Sequence, residues 1–371
     1  MNKYKKIIIF YPAYENGGAT KILLNLTNFF LKKNIEINIL SLNAKYKDFQ
    51  NTKNLKIISV EKNYRKFLYK NRFVYNFFSI LTFIKLLKKN NNTESVIFSM
   101  QSHLISTIIG KLFNYKVFIR NSEDPFGATR YADNKIIGVL VFLSKYISFN
   151  LADKIVTNAS KSFISIKFFL LNKSKIKLIL NPYIDSQKSY PKKKSKKKLQ
   201  LIAIGRFAKQ KNFEFLIEVF YQISNQLKDY KLLIIGSGSD EMRIKNKIKD
   251  LNMKNYIQIK KWSKNLSNDF NASKIFILPS LYEGCPNILV DAIMHKIPCI
   301  SSNCSGASDI LKNNKAGLIF PINNKKILIN HIFKIIHNHA FYKKSAEAFS
   351  KSENRFFIKK QSEKYLKFFK S

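Results

Sequence analysis

The stretch from Phe276 to Leu311, FILPSLYEGCPNILVDAIMHKIPCISSNCSGASDIL, decides the fold. It begins inside an apolar run, Lys274 to Leu278, that reads as a strand buried on both faces and stops at Pro279. A loop follows, carrying Glu283, Gly284, Pro286 and Asn287. Asn287 to His295 has helical spacing, and Pro298 to Ser301 is another short strand. Strand, loop, helix, strand is the βαβ unit of a parallel sheet. Gly284 lets the backbone approach a ligand closely, and Pro286 suits a helix start. The first amides of that helix, at Asn287 and Ile288, face the crevice and form an anion site suited to a diphosphate. Glu283 and Asp291 stand eight positions apart, about two helical turns, so both can face one side.

The same rhythm runs outward in both directions. Upstream, strands are read at Lys6–Tyr11, Glu36–Leu40, Leu55–Val60, Ser95–Ser99, Lys116–Arg120 and Lys154–Thr157, with a helix at Ala19–Lys33. Asn181 to Lys198 breaks the pattern with Pro182, Pro191 and a lysine run from Lys192, which cannot bury itself. The alternation then restarts. Strands are read at Leu199–Ile204, Lys231–Ile235 and Tyr256–Ile259, and helices at Phe213–Gln226 and Glu241–Leu251. The expected division is 1–180, a linker at 181–198, a second domain at 199–353, and a basic helix at 354–371. The fold class is α/β, two doubly wound parallel sheets.

A chain of 371 residues, 46% of them hydrophobic, can build two cores. The net charge of +43 excludes a neutral, indifferent surface and implies attraction to something anionic, unless compositional bias alone accounts for the lysines. Cys285, Cys299 and Cys304 lack the spacing of a zinc ribbon, and an odd count argues against a disulfide framework and for a reducing cytoplasm. The first residues resemble a signal peptide in charge, yet the apolar run is short and Pro12 and Glu15 follow, so it reads as a buried strand. No run reaches the length of a membrane span.

Further segments carry chemistry. Gly205-Arg206 and Lys211-Asn212 follow the first strand of the second half, and an arginine fork with a lysine point charge suits phosphate. Gly236-Ser237-Gly238 leads from a strand into a helix, either near a nucleotide or as a plain turn, since the third glycine of the dinucleotide fingerprint is missing. Glu15-Asn16-Gly17-Gly18 permits close backbone approach after the first strand. His103 follows the strand Ser95–Ser99, and Arg120, Asn121 and Glu123 close another strand end, where open sheets bind ligands. His337 and His339 lie two apart, on different helix faces, so no metal site is expected; His295 and His331 read as structural. From Lys66 to Lys89 aromatics interleave with lysines, which is either a membrane-surface dock or a core-facing helix with a solvated face.

The run Glu283-Gly284-Cys285-Pro286-Asn287-Ile288-Leu289-Val290-Asp291 resembles the signature E-G-x-P-N-x-x-x-E of glycosyltransferase family 4, the retaining enzymes of the GT-B fold. The second acid is Asp where the family has Glu, and Thr20 stands where an acid is common. The resemblance covers nearly the whole chain and is strong from Leu199 to Ile319. It implies two facing domains, acceptor on the first and a nucleotide-sugar donor, most simply a UDP-sugar, on the second. It assigns Glu283, Arg206, Lys211 and His103 to catalysis. Gly17, Gly18, Gly236, Gly238, Gly284, Pro286, Asn287, Ile288 and Asp291 would hold the donor, and Arg120 and Asn121 the acceptor. The implied reaction transfers a hexosyl or N-acetylhexosaminyl group to a glycan or polyprenyl-diphosphate-linked acceptor in cell-surface polysaccharide synthesis. No cofactor and no nucleic acid are expected as partners, and an anionic membrane surface is. The place is the cytoplasm, peripheral on the inner membrane face. A two-domain nucleotide-sugar epimerase and a catalytically degenerate sugar-binding protein remain the alternatives.

Overall fold

The computed structural model describes residues 4–12, 17–41, 44–50, 53–59, 72–186, 198–263, 265–312, 316–352 and 354–370, with the backbone alone for 72–77 and 352. The chain forms two compact units. One is Met1–Ser186 together with Arg355–Ser371, and the other is Gln187–Asn354.

The first unit runs β1 (Lys6–Phe10), α1 (Gly18–Leu31), β2 (Glu36–Leu40), β3 (Leu55–Ile58), α2 (Arg72–Lys88), β4 (Ser95–Ser99), α3 (His103–Leu112), β5 (Lys116–Asn121), α4 (Pro125–Arg130), α5 (Lys135–Leu151), β6 (Lys154–Thr157), α6 (Ser160–Phe169) and β7 (Ile176–Leu178). Its sheet is parallel in the order β3-β2-β1-β4-β5-β6-β7. Helices cover both faces, which is why Ile7–Phe10, Val96–Phe98 and Val117–Ile119 are unbroken apolar runs. In register, Ile8 lies between Asn38 and Ile97. Along α1, Ile22, Leu23, Leu26 and Phe30 recur at helical spacing and are buried.

The second unit repeats the plan. It runs β8 (Gln200–Ile204), α7 (Phe213–Ile223), β9 (Lys231–Ile235), α8 (Glu241–Asp250), β10 (Ile257–Lys260), α9 (Ser267–Ala272), β11 (Ile275–Leu278), α10 (Asn287–Met294), β12 (Cys299–Ser302), α11 (Ala307–Leu311), β13 (Leu318–Phe320), α12 (Lys325–His337) and α13 (His339–Ser352). The parallel order is β10-β9-β8-β11-β12-β13. In each sheet the chain winds outward over three strands, then returns to the far side of the first. The reversal falls between β1 and β4 and between β8 and β11, and at such a point the strand-end loops diverge and leave room for a ligand.

The last helix, α14 (Ile358–Lys370), belongs to the first unit. Phe369 meets Phe98 with ring centroids 5.1 Å apart, and Phe368 meets Phe118 at 5.4 Å. Just before it, Ile184 pairs with Phe357; the Ile184 amide donates to the Phe356 carbonyl at 2.8 Å and Ile358 donates back to Ile184 at 2.9 Å. Asn181 to Ile184, read from sequence as the start of the linker, is therefore buried in the first unit, anchored where Asn25 Nδ2 donates to the Pro182 carbonyl at 2.8 Å. The lysine run lies outside the described residues except for Lys198.

One open reading is decided and one expectation changes. Among the described residues of the Lys66–Lys89 stretch, Phe83, Leu86 and Leu87 enter the core with Ile97 and Val117, Phe83 sits 4.7 Å from the Phe10 ring, and Lys85, Lys88 and Lys89 face water. That segment is a core helix with a solvated lysine face; residues 66–71 are outside the described set. Arg120, expected to meet an acceptor, is 1% exposed. Its Nε donates to Tyr365 Oη at 3.0 Å and its Nη2 to Asn181 Oδ1 at 2.6 Å, so it ties the end of β5 to α14.

Because that guanidinium is buried, losing an acceptor is expensive. Tyr365→Phe is expected to destabilise the protein by roughly 1.5–3 kcal/mol in chemical denaturation. An unchanged midpoint would show that Arg120 does not depend on this contact.

Candidate active site

In the second unit the loops after β8 and β11 are stitched together. The Leu281 amide donates to the Gln210 carbonyl and Gln210 Nε2 donates to the Tyr282 carbonyl, both at 2.8 Å. Asn212 sits in the left-handed region at φ 55°, which asparagine tolerates, and its amide donates to Asn323 Oδ1 at 2.9 Å. This brings Lys211, in the short turn Lys209–Lys211, onto Glu283: the ammonium and the Oε1 carboxylate oxygen form an ion pair. Ser280 Oγ donates to the same oxygen at 2.8 Å. Glu283 is 7% exposed, so the charge is held by its partners rather than by water. Gly205 makes this possible, since a Cβ there would stand 3.1–3.2 Å from the Lys211 stem. Arg206, one residue on, is exposed and makes no ion pair among the described residues.

Glycines hold the neighbouring backbone close. At Gly306 φ is +79°, and a Cβ would lie 2.2 Å from the Gly284 carbonyl oxygen. Gly236 and Gly238 were expected at a donor. A Cβ on Gly236 would stand 2.0 Å from the Gly205 carbonyl oxygen, and one on Gly238 would stand 2.2 Å from that of Phe207. Their missing side chains are accounted for by the packing of one loop on another, with the Phe207 amide donating to the Ser237 carbonyl at 2.8 Å.

Helix α10 begins beyond Pro286, with no side chain capping it. Leu289, Val290, Ala292 and Ile293 are buried; Asn287, Ile288 and Asp291 are half-exposed, and Asn287 and Asp291 stack one turn apart. Asp291 thus stands on the helix while Glu283 stands in the loop before it. The Cys304 thiol is pushed up to about 12 by burial and by the nearby Glu283 charge, and all three cysteines are buried and unbridged. Among the described residues no cluster of His, Cys, Asp and Glu could hold a metal ion.

The first unit places His103 at the start of α3, its Nδ1 2.7 Å from Ser99 Oγ, which in turn lies 2.6 Å from Ser106 Oγ. Desolvation, with the Lys145 and Arg120 charges beside it, lowers its pKa to about 3, so the ring is neutral at physiological pH. Asn121 is buried with its side-chain amide on the Glu123 carbonyl. Gly17 and Gly18 are exposed at the start of α1, and open space surrounds a Cβ built on Gly17. Glu15 and Asn16 lie outside the described residues. Sequence reasoning missed Ser280, Ser99 and the steric reasons for Gly205 and Gly306, because the neighbours that give them meaning are distant in the chain.

Parallel sheets of seven and six strands in this order, one in each unit, are the architecture of the GT-B fold. Residues 185–366 match the family Glycosyl transferases group 1, and the protein is a glycosyltransferase of that group. It is 23% identical over 317 residues to the amylovoran biosynthesis glycosyltransferase AmsD of Erwinia amylovora, covering 84% of each chain. It is 26% identical over 317 residues to a Campylobacter jejuni α-1,4-N-acetyl-D-galactosaminyltransferase acting on GalNAc-alpha-(1->4)-GalNAc-alpha-(1->3)-diNAcBac-PP-undecaprenol, covering 85% of this chain and 84% of that one. The Anabaena protein HepE, in complex with UDP-glucose, superposes with a TM-score of 0.78 at 11% identity over 98% of each chain.

Gly306→Ala should lower stability by about 2 kcal/mol or more in urea unfolding, because a methyl group meets backbone that cannot yield. Wild-type stability would show that the loop can shift. His103 sets a pH dependence in the opposite unit. Its folded pKa of about 3 lies below the unfolded 6.5, so the unfolded chain binds a proton first and stability is lost as pH falls through that window. His103→Asn should flatten the acid limb of the stability curve; an identical curve would remove the ring as its source.

Proposed function

We propose that this glycosyltransferase retains the anomeric configuration of a hexosyl or N-acetylhexosaminyl group as it moves it from a UDP-sugar to a hydroxyl of a glycan carried on a polyprenyl diphosphate. The observation that carries the reading is the Lys211–Glu283 pair at the β8/β11 switch point, with Arg206, exposed and in no ion pair among the described residues, in the same loop as Lys211. Such a place offers cations to a departing diphosphate and a fixed carboxylate to the sugar. HepE's UDP-glucose complex and the undecaprenol-linked substrate named for the Campylobacter relative support the donor and acceptor classes. The second unit is the donor domain and the first the acceptor domain. No helix among the described residues is long and apolar enough to cross a membrane, and the enzyme works peripherally on the anionic inner face of the cell membrane.

The chemistry runs as follows. The bond between the anomeric carbon and the diphosphate oxygen breaks, and charge builds on that oxygen. Arg206, Lys211 and the first amides of α10 at Asn287 and Ile288, in a chain turned by Gly284 and Pro286, stabilise it. The acceptor oxygen bonds to the same face of the carbon and its proton passes to the departing phosphate oxygen. Glu283 positions the sugar and offsets the positive character of its ring. Asp291 accepts from the ribose hydroxyls. In the first unit, neutral His103 can offer a hydrogen bond to a sugar hydroxyl without adding charge, and the Gly17 and Gly18 backbone is exposed at the start of α1.

Arg206 is exposed and in no ion pair among the described residues, so Arg206→Ala should leave the melting temperature within about a degree while weakening UDP binding about tenfold, measured by calorimetry. Equal affinity would contradict the diphosphate role. Glu283→Gln should lower kcat by about 10²-fold or more with UDP-sugar still bound, and proton NMR of the product should show the donor's anomeric configuration. An inverted product would sink the retaining reading.

A further inference from the structure

Helix α5, Lys135–Leu151, is built inside out. Its buried positions are Gly138, Lys145, Ser148 and Phe149. A Cβ on Gly138 would lie 3.0 Å from the Thr129 carbonyl oxygen, so the helix packs close against α4 through its one glycine. Lys145, beneath the helix, is paired with Glu123. The outward stripe is Ile136, Val139, Leu140, Leu143 and Ile147, with Ile136 73% exposed. An ordinary surface helix turns that stripe to the core.

The apolar surface continues beyond the helix. Phe142 lies 4.9 Å from Phe169, and Phe126 lies 5.0 Å from the same ring and 6.2 Å from Phe168, which is 76% exposed. At the far end Leu171, 80% exposed, is held beside α5 by its backbone N–H, which donates to Asn150 Oδ1 at 2.9 Å. A contiguous patch of this kind marks an interaction site rather than scattered surface residues.

We propose that this face of α4, α5 and α6 is where the protein docks on a bilayer of anionic lipid, with α5 lying in the plane of the interface. Charge selects this occupant over a second copy. Two chains of +43 each repel, while an anionic bilayer attracts them. α5 carries no acid, its Lys145 is taken up by Glu123 on the inner side, and Lys135, Lys167 and Lys173 stand on α5, α6 and the turn after it. A long apolar face beside cations is the pattern of a helix that lies on a membrane, and no described helix has the length and apolarity to cross one. The proposal deepens the reading of a lipid-carried acceptor but uses no residue of the donor site.

The test is flotation of the full-length protein with vesicles of phosphatidylglycerol and phosphatidylcholine in equal parts, beside vesicles of phosphatidylcholine alone. The wild type should float with the anionic vesicles, less so as salt rises. Leu140→Glu with Leu143→Glu should cut partitioning about tenfold or more without lowering the melting temperature, since both side chains face water. Binding equal to wild type would overturn the proposal. So would a wild-type dimer that the double variant dissociates while vesicle binding persists, which would assign the face to a second copy. The UDP-induced thermal shift is read on the same samples. A missing shift with the vesicle result intact defeats the donor reading alone, and a normal shift with undiminished vesicle binding by the variant defeats the docking surface alone.

Discussion

The ion pair between Lys211 and Glu283 is the contact on which the second unit's site is organised. A carboxylate removed from water needs a partner, and removing one member of such a pair typically costs about 3–5 kcal/mol. The lysine comes from the end of β8 and the acid from the end of β11, neighbours in the sheet but more than seventy residues apart in sequence. Everything nearby serves that meeting. Gly205 lies under the lysine stem, Ser280 donates to the carboxylate, and Gln210 and Leu281 join the loops. Gly306 then lets the loop after β12 close on Gly284.

Much of this was legible before any coordinates. Strands at Glu36–Leu40, Ser95–Ser99, Lys154–Thr157 and Lys231–Ile235 have the boundaries that apolar runs alone assign, because parallel strands covered on both faces have no polar alternation to blur them. The three-residue strands Ile176–Leu178 and Leu318–Phe320 left no such signal, being too short to show a period. At the site, the sequence points to Glu283, Lys211 and the start of α10. It offers no hint that Gly236 and Gly238 answer to Phe207, since steric exclusion between loops is a property of three-dimensional neighbours.

The aromatic segments teach the opposite lesson. The stretch around α2 mixes aromatics with lysines and leaves open a membrane dock or a core-facing helix; Phe83 and Leu87 are core residues. In α5 apolar side chains run nearly all round the helix, and Ile136, Val139, Leu140, Leu143 and Ile147 face water while Phe149 is buried. Periodicity tells which residues share a face, not which way the face looks. That direction is decided by what the helix must approach. In α5 the close approach demanded at Gly138 and the Lys145–Glu123 pair turn the polar stripe inward.

The short bridge between Ile184 and Phe357 places the chain leaving the first unit beside the chain coming back. The second unit is therefore an insertion, and the aromatic seam of Tyr365, Phe368 and Phe369 on Phe98 and Phe118 is completed by residues that follow it in the chain. On the ribosome the first sheet must wait, its apolar surface uncovered and the Arg120 charge without Tyr365, until the whole insertion has emerged. The inserted unit carries all its own strands and can fold during that interval. Birth order and folding order are thus inverted, the half synthesised first being the half sealed last.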